Sequence, residues 1–174
     1  MSNPLEEHQF LGREFLAWLA FHADTNGGEF EGFVIQLGGR CVLHALSGLV
    51  TDVTLKGGSP GTSPELRYAL AGGLLPKQLD LRLEIAAKKK KEDPRVFIFS
   101  LSAELLDLGR VKLPALLTEE EDDKVEERLQ LLGQLDDAVQ AAYAAFLAER
   151  AAPRWSRSTV PAYKAWLKEG VEPA

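Results

Sequence analysis

The cysteine and the histidines are the first residues to test for chemistry. Cys41 and His44 stand in the Cys-x-x-His spacing of half a zinc site, but the chain has no second ligand pair. On a strand, this spacing puts the two side chains on opposite faces of the sheet. Cys41 shares its face with Leu43, so it is predicted to be a buried structural thiol rather than a nucleophile. No catalytic residue, metal ligand or cofactor is predicted.

The carboxylates fall into two groups. Residues 119–127 contain seven acids and one lysine, a composition and spacing typical of the solvated start of a helix. Asp52, Asp80 and Glu84 are predicted to share one wet face of a sheet with Arg82. A polar outer face is the favoured interpretation. The alternative is a metal-dependent nuclease, in which the carboxylates would have to converge on a metal ion.

Two basic stretches are candidates for binding nucleic acid. One is a run of four lysines, and the other extends from residue 150 to residue 168 with five basic residues and no acid. Basic side chains contact phosphates, and aromatic rings stack on bases. The favoured interpretation is that the tryptophans of the second stretch dock on the domain while its charges face solvent, and that the lysine run is solubilising. The candidate nucleic-acid-binding residues are Lys88, Lys89, Lys90, Lys91, Arg150, Arg154, Trp155, Arg157, Lys164, Trp166 and Lys168.

The first element that must position these residues is a helix over 10–23. Its segment from Phe10 to Phe21 is apolar nearly all round, with charge only at Arg13 and Glu14. A helix of this kind cannot be left in water. It is therefore predicted to be buried in the core or in a contact with another chain.

Period-two patterns predict the strands. Two alternating runs, 33–37 and 41–45, are joined by Gly38 and Gly39, which predicts a hairpin. Further strands are expected over 49–55, 79–85 and 95–101, and residues 105–113 add a short strand or an irregular return. The predicted fold class is α+β, with an antiparallel sheet of about five strands packed against an N-terminal helix and a long C-terminal helix.

Capping signals predict the other helices. Ser63 and Pro64 open a short helix that Gly72 and Gly73 close. A capping box from Thr118 to 121 begins a helix that runs to about residue 150, roughly 45 Å long. Its apolar residues recur every three or four positions, and a last short helix is expected over 160–168.

Composition bounds the class of protein. The chain has 174 residues, 45% of them hydrophobic, and a net charge of -6, as expected for an ordinary globular protein. A single α+β domain is predicted over 1–150, with a basic and aromatic extension over 151–174. A secretion signal and a long apolar run are both missing from the sequence, and only one cysteine is present. A cytoplasmic protein without membrane association is therefore expected.

The motif from Phe10 to Leu19, Phe-Leu-Gly-Arg-Glu-Phe-Leu-x-Trp-Leu, resembles bacterial recombination-associated proteins of the RdgC-like family. The resemblance implies a role in DNA recombination or phage-related DNA metabolism. The best-known members of that family look like nucleoid-associated proteins that form ring-shaped dimers and bind duplex DNA without sequence preference. This chain is shorter and acidic, and no DNA-contacting residue of the family maps onto it.

The leading functional hypothesis is a non-catalytic binding or assembly protein that acts as an oligomer, with a second copy or another protein as partner and a possible association with DNA. One alternative is sequence-independent nucleic-acid binding through the basic C-terminal segment, and another is the metal-dependent nuclease. The residues predicted to form the oligomer interface or the core are Phe10, Phe15, Trp18, Phe21, Leu132, Val139, Tyr143 and Phe146.

Overall fold

The fold was examined in a computed structural model, which describes residues 4–45, 52–58, 63–87, 92–151 and 160–169. Four helices and six strands occur in these ranges, and the predicted α+β class is confirmed. In chain order they are α1 (Pro4–Thr25), β1 (Glu29–Phe30), β2 (Phe33–Ala45), β3 (Asp52–Lys56), α2 (Pro64–Ala71), β4 (Leu74–Ile85), β5 (Arg95–Ser102), β6 (Leu108–Lys112), α3 (Glu121–Ala151) and α4 (Val160–Glu169).

The strands form one antiparallel sheet in the order β1-β2-β4-β5-β6, with β3 also paired to β2. β4 therefore pairs with one edge of β2, while β1 and β3 pair with the other edge. The short strand expected within 105–113 is β6. The part of the predicted strand 49–55 that precedes Asp52 lies outside the described residues.

The predicted hairpin at Gly38 and Gly39 is wrong, because β2 is one continuous strand. Residues 38–40 form a bulge between two register pairs, Leu37 with Leu81 and Cys41 with Leu79. A Cβ atom at Gly38 would lie 3.1 Å from the Cβ of Asp80, so the glycine permits the close approach of β4. The Gly-Gly pair thus allows a bulge rather than a chain reversal.

The core lies between the inner face of the sheet and α1. The inner face consists of alternating side chains such as Leu43, Leu81 and Phe99, each at most 1% exposed. Every α1 residue from Phe15 to Phe21 is at most 8% exposed within this single chain. This segment of the opening helix is therefore sheltered by its own chain and needs no second chain to cover it.

The start of α3 differs from the predicted capping box. The helix begins at Glu121, and Thr118 does not cap it. The carboxylate of Glu127 instead accepts hydrogen bonds from the backbone N–H groups of Leu117, at 2.6 Å, and Thr118, at 3.0 Å. The acids of the first turn still complement the helix dipole, and α3 ends where the sequence predicts.

The two short helices are confirmed. The Ser63 hydroxyl accepts a hydrogen bond from the backbone N–H of Leu66 at 3.3 Å, and Pro64 occupies the first turn of α2. α4 packs against α2 and contributes Trp166 to the hydrophobic core. The predicted boundary between the domain and the extension at residue 150 stays a prediction. Within the described ranges, no helix has the length and apolar character needed to cross a membrane.

Two helical glycines give a test of the packing between α1 and the sheet. A Cβ at Gly12 would overlap the backbone carbonyl oxygen of Ala103, whereas a Cβ at Gly133 would meet nothing within 4 Å. We expect Gly12→Ala to lower the free energy of unfolding by about 2–3 kcal/mol, because the new methyl group would push the backbone of α1 and that of Ala103 apart. The matched Gly133→Ala should raise it by about 1 kcal/mol. Urea denaturation measures both, and equal effects would contradict this packing.

Candidate protein-binding surface

A single apolar stripe runs along α3. Val125, Leu129 and Leu132 lie four and three residues apart, and Val139 and Tyr143 continue the same face in the second half of the helix. In that second half, α1 packs against the stripe at Tyr143, while Leu147 stays 36% exposed. The ring of Phe15 meets that of Tyr143 edge-on at 5.1 Å between centroids, and Val139 is only 2% exposed.

The first half of the stripe is bare. Val125 is 57% exposed, Leu129 64% and Leu132 39%. We call these three residues the N-terminal stripe. Leu131 and Leu135, on the neighbouring face, are buried in the core, so this stretch of the helix packs on the rest of the chain. Three neighbouring apolar side chains exposed on one helix face form a candidate interaction surface.

Acidic side chains border the N-terminal stripe. Asp122 and Glu126 lie one turn apart along one border, and Asp136 follows Leu132 on the stripe itself. All three are exposed. On the other border Arg128 is exposed, and Lys124 donates a hydrogen bond to Glu121 at 2.8 Å. The surface is therefore apolar at its centre and mainly acidic at its edge.

A cleft lies on the opposite side of α3, against the end of the β4–β5 hairpin. Its volume is about 560 Å³. Glu92, Asp93 and Asp137 line it together with Arg95, whose guanidinium donates a hydrogen bond to the Gln134 side chain at 2.8 Å. This cleft extends the acidic character of the surface around α3, but it does not include the N-terminal stripe.

Most of the predicted oligomer or core residues lie in the core of the single chain. Phe15, Trp18, Phe21, Val139 and Phe146 are buried, Tyr143 is half-buried, and Leu132 is exposed, while the side chain of Phe10 lies outside the described residues. The sequence pattern places Val125 and Leu129 on the stripe but gives no sign that α1 stops short of them. The fact that would have shown this is that α3, with 31 residues, is longer than α1, with 22 residues.

Trp166 is not available for stacking on bases, because its indole is only 3% exposed. Its Nε1 donates a hydrogen bond to the carboxylate of Asp24 at 2.5 Å. The Arg67 guanidinium donates to the same carboxylate oxygen at 2.9 Å and lies 5.6 Å from the centre of the indole ring. This junction holds α1, α2 and α4 together, and it agrees with the favoured interpretation that the tryptophan docks on the domain.

The remaining candidates for nucleic-acid binding stay predictions. Lys164 and Lys168 are exposed on α4. The four lysines 88–91, together with Arg154, Trp155 and Arg157, lie outside the described residues, as does the side chain of Arg150.

The structure does not bring the sheet-face acids to one point. The Nδ1 of His44 pairs with Asp52 at 2.7 Å, and Arg82 pairs with Glu84 at 2.8 Å. The pKa of Asp52 is lowered, mainly by the hydrogen bond with His44, with Lys77 and Arg13 adding to the effect. In the parts of the chain that the structure describes, no three His, Cys, Asp or Glu side chains are placed to hold a metal ion.

Comparisons with known proteins find no matching family model and no matching curated protein. The resemblance of residues 10–19 to the RdgC-like family is therefore a proposal from the motif alone. In this structure, the described residues of the motif have packing roles. Phe15, Trp18 and Leu19 are buried, and Gly12 allows α1 to approach the backbone of Ala103.

Cys41 gives a test of the buried sheet face. The side chain is 2% exposed, and burial, together with the nearby charge of Asp80, raises the pKa of the thiol to about 12. The neutral thiol therefore stabilises the fold below the usual pKa of cysteine, and this contribution is lost as the pH rises toward 12. We expect no reaction of the folded chain with a disulfide reagent at about pH 8, and full reaction after unfolding in urea. Rapid labelling of the folded chain would show that Cys41 is accessible.

The Asp24 junction gives a second test. Asp24→Ala removes the carboxylate that accepts from both Trp166 and Arg67, and both donors are largely buried. We expect a loss of about 2–3 kcal/mol in the free energy of unfolding and faster amide hydrogen exchange in α4. Asp107→Ala, at an exposed loop position, is the control. Equal stabilities of the two variants would mean that the junction does not hold α4.

Proposed function

We propose that this chain is a non-catalytic binding or assembly protein that acts as an oligomer through the N-terminal stripe. The observation that carries the proposal is an apolar stripe on α3 that packs on α1 at Tyr143 and is bare at Val125, Leu129 and Leu132. An association with DNA recombination or phage-related DNA metabolism is a further part of the proposal, and it is supported by the motif from Phe10 to Leu19.

The energy available from the stripe suits the centre of an interface. Each of Val125, Leu129 and Leu132 would contribute about 1 kcal/mol if a partner covered its exposed part. A stable interface buries roughly 800 Å² on each partner. Three side chains are too few to cover that area, so the polar and acidic border must also take part. A few central apolar anchors surrounded by polar contacts is the usual anatomy of such a surface.

The alternatives have no comparable observation in their favour. Direct nucleic-acid binding rests on basic residues that are mostly outside the described ranges, and the burial of Trp166 removes one of its stacking rings. A metal-dependent nuclease needs carboxylates that converge. Asp80 and Glu84 instead lie four residues apart on β4, roughly 13 Å along the strand. Both remain alternatives from the sequence.

Replacing the apolar anchors tests the proposed assembly. We expect the average mass of the wild-type chain to rise with concentration in sedimentation equilibrium. Leu129→Ser/Leu132→Ser should stay monomeric at the same concentrations, because burying serine side chains in an interface gains no hydrophobic free energy. The matched control is Tyr68→Ser, which removes a side chain that is 67% exposed on α2 and should leave assembly unchanged. A wild-type chain that is monomeric at every concentration would overturn the proposal.

A further inference from the structure

We propose that the N-terminal stripe of one copy is occupied by the basic segment 150–157 of a second copy. This inference rests on the proposed assembly function and names the part of the partner that fills the surface. Three arguments support it, from charge, from sequence and from the reach of the chain.

The charge around the stripe disfavours pairing of two identical stripes. In a two-fold contact centred on Leu129 and Leu132, the acidic border of one copy would face the acidic stretch around Asp136 of the other. Asp122, Glu126 and Asp136 are all exposed, and Arg128 is the one exposed base among the described side chains beside the stripe. Juxtaposed like charges oppose association. The occupant is therefore expected to be both apolar and basic.

The sequence contains a segment with that chemistry. Arg150, Arg154 and Arg157 surround Trp155, and no acid occurs between residues 150 and 168. Tryptophan and arginine are the residues most often found at the energetic centre of protein interfaces. A tryptophan ring can cover the leucines while the arginines meet the carboxylates at the border.

Trp155 cannot reach the leucines in the stripe of its own chain. Leu132 and Ala151 are separated by 19 residues of a continuous helix, which is about 28 Å. Residues 152–159 connect Ala151 to α4, and Trp166 fixes α4 to the Asp24 junction. Trp155 is four residues beyond Ala151, so the chain can carry it at most about 14 Å from Ala151. Contact between Trp155 and Leu132 therefore requires a second copy.

A reciprocal exchange satisfies both copies at once. The stripe of each copy receives segment 150–157 of the other, so two equivalent contacts form around one two-fold axis. Such a contact closes on itself and gives a dimer rather than a filament.

Charge reversal tests this arrangement in the full chain. We expect Arg154→Glu/Arg157→Glu to raise the dimer dissociation constant at least about tenfold, and Asp122→Lys/Glu126→Lys to do the same. Combining all four substitutions in one chain should restore dimerisation, because positive charges at positions 122 and 126 then meet negative charges at positions 154 and 157. The control is Lys164→Glu/Lys168→Glu, which reverses two exposed bases on α4 and should have no effect. Circular dichroism and urea denaturation check that each variant is folded.

The outcomes separate this inference from the proposed function. Loss of the dimer in each double variant, with rescue in the quadruple variant, would support the inference. A dimer that survives Arg154→Glu/Arg157→Glu but is lost in Leu129→Ser/Leu132→Ser would overturn it, since another part of the partner would fill the stripe. In that case the proposed assembly would stand. A monomeric wild-type chain would overturn both.

Discussion

Burial of the middle of α1 on all sides is the constraint on which the rest of the structure depends. Its segment from Phe15 to Phe21 has no polar face, so other elements must surround it. The inner face of the sheet covers one side and α3 covers another. Phe21 also meets the rings of Tyr163 and Trp166 edge-on at 5.6 and 5.5 Å, which brings α4 into the same core. One helix thus determines where three other elements pack.

Polar contacts at the margins of α1 fix the position of its neighbours. The indole N–H of Trp18 donates to the carboxylate of Glu149 at 2.8 Å, near the end of α3, and Asp24 joins α1 to α2 and α4. α1 therefore holds the second half of α3, while Leu131 and Leu135 hold the first half on the core. With 31 residues against 22 in α1, α3 extends beyond the helix that covers it, and the N-terminal stripe is the result.

Local patterns in the sequence were sufficient to predict most of the elements, because those patterns reflect local physics. The alternation of leucines around Leu81 and the Ser63–Pro64 cap correspond to β4 and α2 as expected. The errors occur where a distant residue decides the outcome. The bulge at Gly38 depends on the approach of Asp80, and the capping box at Thr118 is replaced by the carboxylate of Glu127, nine residues away.

The binding surface could be predicted only in part for the same reason. Periodicity places Leu129 and Phe146 on one stripe, but only the packed structure shows that the first is 64% exposed and the second fully buried. Trp166 likewise stands between basic residues in the sequence, as a residue that stacks on bases would. Its partner, Asp24, lies 142 residues away along the chain, and no local pattern reports that contact.

Protection of position 129 by a second chain is the most direct measurement of the central claim. Cys41 is buried, so a thiol introduced as Leu129→Cys would be the reactive one among the described side chains. Its labelling rate should fall as the protein concentration rises, while that of Tyr68→Cys, on α2, should stay constant. A labelling rate at position 129 that is fast and independent of concentration would contradict the account.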